Sequence, residues 1–371
     1  MSLKNYEITK EVYLIREDST NFSLNSYLIN ISSKNKIYKI LIDPLPYKYH
    51  EEFINILKES WKKDDIKFIF ISHEESGILS SIPEILKIFP DVTIIASKDM
   101  CKYLNIYGIK EEQFHPIEFI PNKKIKLESS EMCLFHIPFC TSSSSYILYY
   151  RDKNILFTGN FLSGFIVRKD GEIFASESSI LGIKMFHEYH ISNSSVLKNA
   201  LNIFGMLENI PEITLPHHGY LIRKNLLEKI FKELNDLKVG LEYIKDIEIT
   251  GEKYLLALNE FLKEVEKELG HKYVLSKLQK LNVSSSLYME LFNMERGIIT
   301  EVRINPSTAF DLITKKVEED LEPDKRRLLE NKIKAILEKY GLEREEKIEE
   351  KDWFIAKFEK FLETFSQLHK L

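Results

Sequence analysis

The side chains able to do chemistry in this chain are few and unevenly placed. The sharpest group is His73-Glu74-Glu75, directly after the apolar run KFIFI at residues 67–71. Imidazole and carboxylate are the donor types of zinc and iron sites, although a histidine at a strand end is also an ordinary hydrogen-bonded rim residue. The run LPHHGYLIR (215–223) carries the adjacent pair His217-His218; His217, next along a turn, is expected to point elsewhere than His218. His187, Glu188 and His190 form a cluster whose spacing is wrong for the zinc helix motif. The serines at 142–145 lack the GxSxG elbow of a hydrolase nucleophile, and neither GxGxxG nor a phosphate-binding loop occurs. Cys101, Cys133 and Cys140 are odd in number and form no CxxC pair, which fits a reducing compartment.

The elements that must position these residues fall into two textures. Residues 1–246 alternate strand-like and helix-like stretches in α/β grammar. Strands are expected at 11–16, 26–31, 37–42, 67–71, 92–96, 146–150 and 154–157, and helices at 50–62, 82–88 and 195–207. From 247 to 371 long Glu/Lys/Leu-rich segments predict a mainly helical region. Leu255, Leu258, Phe261, Leu262 and Val265 share one helix face, further helices are expected at 330–340 and 353–368, Gly341 is a helix stop, and a short strand is expected within 297–304. The chain has 371 residues, 44% hydrophobic and 29% charged, with a net charge of −5, which is the composition of a folded globular protein without a basic surface for nucleic acid. No apolar run approaches the roughly 18–20 residues that span a bilayer, and the first ten residues lack a signal-peptide core, so a cytoplasmic location is expected.

Several segments, in consistent order over about residues 8–246, resemble the metallo-β-lactamase-fold oxygen-binding di-iron proteins, relatives of the flavodiiron proteins. His73-Glu74-Glu75-Ser76-Gly77-Ile78 resembles the family's HxExDH loop, with His73 and Glu75 matching and Gly77 and Ile78 standing at the Asp and second His. NSYLI (25–29) and ILIDP (40–44) resemble the opening strands, which makes Asp43 a structural residue ordering the loops. IPFCTS (137–142) is similar to the Pro-Phe-x-His segment, with Thr141 at the ligand position. NILFTGNFLSG (154–164) resembles LFTGDFxSG, with Asn160 in place of the bridging Asp. FHEYH (186–190) and LPHHG (215–219) resemble FHEYY and APQHG, and His218 keeps the last ligand. No flavodoxin-like domain follows.

The resemblance implies a four-layer αββα sandwich over 1–246 followed by the helical region at 247–371, with the loops bearing His73, Thr141, Asn160 and His218 meeting at one edge. It also implies an incomplete site: His73, Glu75 and His218 survive, while Gly77, Ile78, Thr141 and Asn160 do not. In the family pattern His73 and Glu75 serve one metal and His218 the other, and Ile78 is expected to project into the second-metal position. Two divalent ions about 3.5 Å apart repel by on the order of 19 kcal/mol at an effective dielectric near 20, which bridging anions must offset. Glu75 alone remains for that. No cofactor is therefore expected, and the chain is read as a non-catalytic, sensor-like or scaffolding protein. Through its helical region it would meet a protein partner or associate with itself as a homodimer. The alternative is a mononuclear oxidoreductase or hydrolase holding a single iron or zinc ion, for which His136 and Cys140 are candidate substitute donors.

Overall fold

The computed structural model describes residues 3–17, 23–32, 36–63, 65–127, 130–166, 173–284, 292–295, 297–302 and 305–342. The chain divides into two compact units, one built on Met1–Leu237 and one on Lys238–Glu359.

The first unit opens with β1 (Lys4–Glu7), β2 (Val12–Glu17), β3 (Leu24–Ser32) and β4 (Ile37–Ile42), then α1 (His50–Ser60), β5 (Ile66–Phe70), α2 (Ser76–Ser80), α3 (Ile82–Ile88), β6 (Thr93–Ala96), α4 (Cys101–Ile106) and β7 (Phe114–Pro116). These seven strands form one sheet in sequence order. It is antiparallel from β1 to β4 and parallel from β4 to β7. A second sheet follows, of β8 (Lys124–Leu127), β9 (Ser130–His136), β10 (Tyr146–Tyr150), β11 (Ile155–Gly159), β12 (Ile213–Pro216) and β13 (Ile222–Arg223). Between β11 and β12 lie α5 (Ile180–His190) and α6 (Ser194–Asn202), and α7 (Lys224–Asn235) follows β13.

The period-2 alternation of the strands accounts for the layering. Leu14, Tyr27, Ile29, Ile40, Ile42 and Phe70 point from the first sheet into a core shared with Met132, Leu134, Leu148 and Phe157 of the second. Their neighbours Ile15, Leu28, Leu41, Ile69 and Ile94 point the other way, onto Phe53, Leu57, Ile78, Ile82 and Ile85 of the helices. On the far side of the second sheet Phe161, Phe204 and Phe231 pack ring to ring, with centroids 6.2 and 4.3 Å apart. The αββα sandwich expected from the sequence is thus observed.

The second unit comprises α8 (Leu241–Leu269), α9 (His271–Ser284), the hairpin β14 (Phe292–Glu295) and β15 (Ile298–Val302), α10 (Pro306–Glu318) and α11 (Pro323–Tyr340). Leu258, Phe261, Leu262 and Val265 of α8 are buried in its core with Phe310, Ile313, Val317, Leu329 and Ile333. Asn259 holds the hairpin by accepting from Ile299 N–H (2.9 Å) and donating to the Ile299 carbonyl (2.8 Å). Gly341, at φ +62°, ends α11. Because α8 runs unbroken from Leu241, the boundary expected at residue 246 falls inside a helix, and the compact units meet at Leu237/Lys238 instead. The helix expected at 353–368 lies outside the described residues. Among the described residues no helix is long and apolar enough to cross a membrane.

Candidate metal centre

The loops that leave the C-terminal ends of β5, β11 and β12 carry His73, Asn160 and the pair His217-His218, and backbone bonds hold them together. His217 N–H donates to the Gly159 carbonyl (2.7 Å) and Tyr146 N–H to the Ser72 carbonyl (2.7 Å). Gly159 permits the approach. It lies at φ +56°, and a Cβ there would stand 2.5 Å from Ser72 Oγ and 3.2 Å from His73 Nδ1.

One carboxylate sits at the centre. His73 Nε2 lies 3.0 Å and His218 Nε2 3.4 Å from Glu75 Oε2, and His217 Nε2 lies 3.7 Å from Oε1. The three imidazoles are buried, each 1% exposed. The expectation that His217 points elsewhere is therefore wrong. Adjacent side chains diverge only in extended backbone, and residues 217–219 form a bend in which Gly219, at φ +84°, lies so close to Gly164 that a Cβ would meet its carbonyl at 2.5 Å. That glycine, directly after a histidine pair, is the signal in the sequence that could have revealed it. His73 and His218 both face Glu75 Oε2.

The other nitrogen of each ring settles its tautomer. Ser72 gives its N–H to Asp43 Oδ1 (2.8 Å) and its hydroxyl proton to Oδ2 (2.6 Å), so toward His73 Nδ1, at 2.7 Å, the Ser72 oxygen accepts and the imidazole donates. His217 Nδ1 and His218 Nδ1 each lie 3.0 Å from a carbonyl, of Asn25 and Ser23 respectively, and a carbonyl can only accept. With three Nδ1–H groups so committed, the neutral rings present Nε2 lone pairs to a group that is itself an acceptor. Only a proton or a cation between them removes the repulsion. Histidines whose second nitrogen donates to a carbonyl or a carboxylate-linked group have the arrangement of metal ligands.

Burial works against the charge on Glu75, yet the charge on His217 and the contacts of all three rings outweigh it and hold the carboxyl well below its usual range. Burial likewise presses His217 down, and ionised Glu75 reverses this and raises it. Burial and the charge on His217 push His218 down to about 4. A single proton on His217 therefore leaves His218 neutral, its lone pair still toward Glu75.

The remaining expected positions are placed as follows. Gly77 offers no donor atom. Ile78 does not project into the site as expected; as the third residue of α2 it turns into the core under the first sheet and is 0% exposed. Thr141, at φ +79°, accepts at 3.3 Å from Asn160 Nδ2, and Asn160 Oδ1 is buried without a hydrogen-bond partner. His136 is exposed, bonded to the Ser143 carbonyl (2.9 Å) and stacked on Tyr146. Cys140 is buried, and that burial pushes its thiol well up. Neither is among the groups that meet Glu75. His187 donates from Nδ1 to the Ile183 carbonyl (2.7 Å) and accepts at Nε2 from Leu162 N–H (3.1 Å), which ties α5 to the loop after β11.

The family described as ODP family beta lactamase matches residues 22–219. The structure of the apo state of the chemotaxis sensor ODP from T. denticola superposes with a TM-score of 0.55 at 20% identity, covering 66% of this chain and 98% of that one. The flavodiiron protein from Giardia intestinalis gives 0.56 at 17% identity, covering 71% and 68%. A curated relative, an uncharacterized HTH-type transcriptional regulator from Aquifex aeolicus, is 28% identical over 187 residues, 49% of this chain, which spans 62% of that protein.

Proposed function

The chain belongs to the ODP family of beta lactamases, and from that premise we propose that it is a sensor-like protein whose cleft takes one divalent metal ion rather than a di-iron centre. The observation that carries this reading is the convergence of three Nε2 atoms, each with its Nδ1–H already committed, on the single carboxylate of Glu75. That donor set fits one ion. It does not fit two irons, because Asp43 is spent on Ser72, Asn160 is neutral, Ile78 faces the core and Gly77 has no side chain. When bound, the ion would act as a Lewis acid toward a small ligand. The chain's own residues do the rest: Asp43 and Ser72 fix the His73 ring, and the Asn25 and Ser23 carbonyls fix the other two. The helical unit beginning at Lys238 would pass the state of the cleft to a protein partner or to a second copy of the chain, in a cytoplasmic setting. A metal-dependent oxidoreductase or hydrolase is the second reading; of the four groups only His73, Glu75 and His217 have donor atoms all within 4.8 Å of one another, one short of a four-donor shell, which favours it.

Elemental analysis of protein expressed with ample iron and zinc is expected to find about one metal per chain and no di-iron absorption. Two tightly held irons would reject the proposal, as would metal content no higher than in a Glu75→Gln variant. Loss of the outer anchor should be felt as well. Ser72→Ala removes the acceptor for His73 Nδ1 and is expected to lower metal affinity roughly 10–100-fold while leaving stoichiometry unchanged. Unaltered affinity by competition titration would show that Ser72 does not position the ligand.

A further inference from the structure

We infer that His217 is the third metal ligand, completing a two-histidine, one-carboxylate set with His73 and Glu75, and that His218 stays outside the shell, leaving the ion open to a small monodentate ligand. This deepens the single-ion reading above and rests on it. The family segment that residues 215–219 resemble carries glutamine where His217 stands, so the ligand is one that the resemblance does not supply.

The geometry separates the two neighbouring histidines. Donor atoms of His73, Glu75 and His217 all lie within 4.8 Å of one another, a group that does not extend to His218. Two donors bound at about 2.0–2.1 Å to one tetrahedral ion stand about 3.3 Å apart. Glu75 stands near that distance from all three rings, 3.0 Å from His73, 3.7 Å from His217 and 3.4 Å from His218, so what sets His218 apart is its distance from the donor atoms of the other two rings, not from Glu75. His217 Nε2 is also buried without a hydrogen-bond partner, on a ring 1% exposed whose Nδ1 is fixed by Asn25. A buried ring nitrogen without a partner is unfavourable, and a cation in front of it removes that cost. Two histidines and one carboxylate leave coordination positions free, as in open zinc and non-haem iron sites. Small anions such as azide, and neutral diatomic molecules, are the ligands such a position accepts.

Cobalt(II) reports both halves of the inference. The metal-free full-length chain is titrated with cobalt(II) alone, and the visible spectrum is followed before and after azide. The expected result is one equivalent bound, bands that shift on adding azide, and two paramagnetically shifted, exchangeable imidazole N–H signals. His217→Gln should weaken cobalt binding by more than the roughly 10–100-fold that losing an outer partner costs, whereas His218→Gln should stay within that range. Three shifted N–H signals in the unmodified protein would place His218 in the shell and overturn the assignment; this needs no variant to fold. Loss of binding in His218→Gln with retention in His217→Gln would overturn it too. Bands indifferent to azide would overturn the open position. Each of these outcomes leaves the single-ion reading standing, whereas no bound cobalt, or two equivalents, would remove that reading as well.

Discussion

Restoring the family's ligands through Gly77→Asp, Ile78→His, Thr141→His and Asn160→Asp is expected to destabilise the protein by about 4 kcal/mol or more and not to create a two-metal site. Ile78 is the reason. It is fully buried among Phe53, Leu57, Ile82 and Ile85, so an imidazole there gives up a core side chain, a loss of about 2–5 kcal/mol, and buries a polar ring without a partner, at about 1–3 kcal/mol more. Such a sum approaches the whole stability of many domains. At Gly77 a new Cβ would stand 3.2 Å from Pro46 Cγ and 3.4 Å from Glu75 Oε1, pressing a second carboxylate against the first. Urea denaturation of Ile78→His alone and of the fourfold variant measures the effect. A fourfold variant as stable as the parent and holding two irons would refute this account of α2.

Acid should weaken the metal-free protein between pH 6.5 and about 4, by up to about 3 kcal/mol through His187 alone. Burial, reinforced by the charge on His190 and opposed by the Ile183 carbonyl, pushes this ring down to about 4 from its ordinary 6.5. Its two bonds require the neutral form, since Nε2 must accept from Leu162 N–H. Above pH 6.5 the ring is neutral folded or unfolded and contributes no pH dependence. As the pH falls through 6.5 the unfolded chain takes up the proton and the folded one does not, so stability declines until the folded ring also protonates near 4. His187→Gln keeps an acceptor for Leu162 and removes the titration. Its unfolding free energy should lose about 2 kcal/mol less than the parent's between pH 7.5 and 5. Parallel pH profiles for the two proteins would show that His187 is not the group responsible.

Much of the first unit was legible because its signals are local. Short apolar, β-branched and aromatic runs mark β4 and β10 at the bounds observed, Ile37–Ile42 and Tyr146–Tyr150, and the apolar run before His73 marks β5 to within one residue at each end. Gly341 ends α11 because a left-handed backbone suits glycine. Ile78 was misplaced for an equally local reason. A residue near the start of a helix points where the helix axis directs it, and the direction of α2 follows from its packing on the first sheet.

What the sequence by itself determined is the set of groups available: seven of the thirteen strands among the described residues of the first unit, and Glu75 as the carboxylate left among the matched ligand positions once Gly77 and Asn160 replace the acidic ones. Which imidazoles meet that carboxylate was decided only by the tertiary structure. His217 and His218 are turned to it by carbonyls of Asn25 and Ser23, 192 and 195 residues away along the chain. His73 is turned to it by a serine bonded to Asp43, 29 residues away. A ring nitrogen's direction is set by what its opposite nitrogen bonds, and here every such partner is, or is itself anchored by, a residue distant in the chain, which no short motif contains.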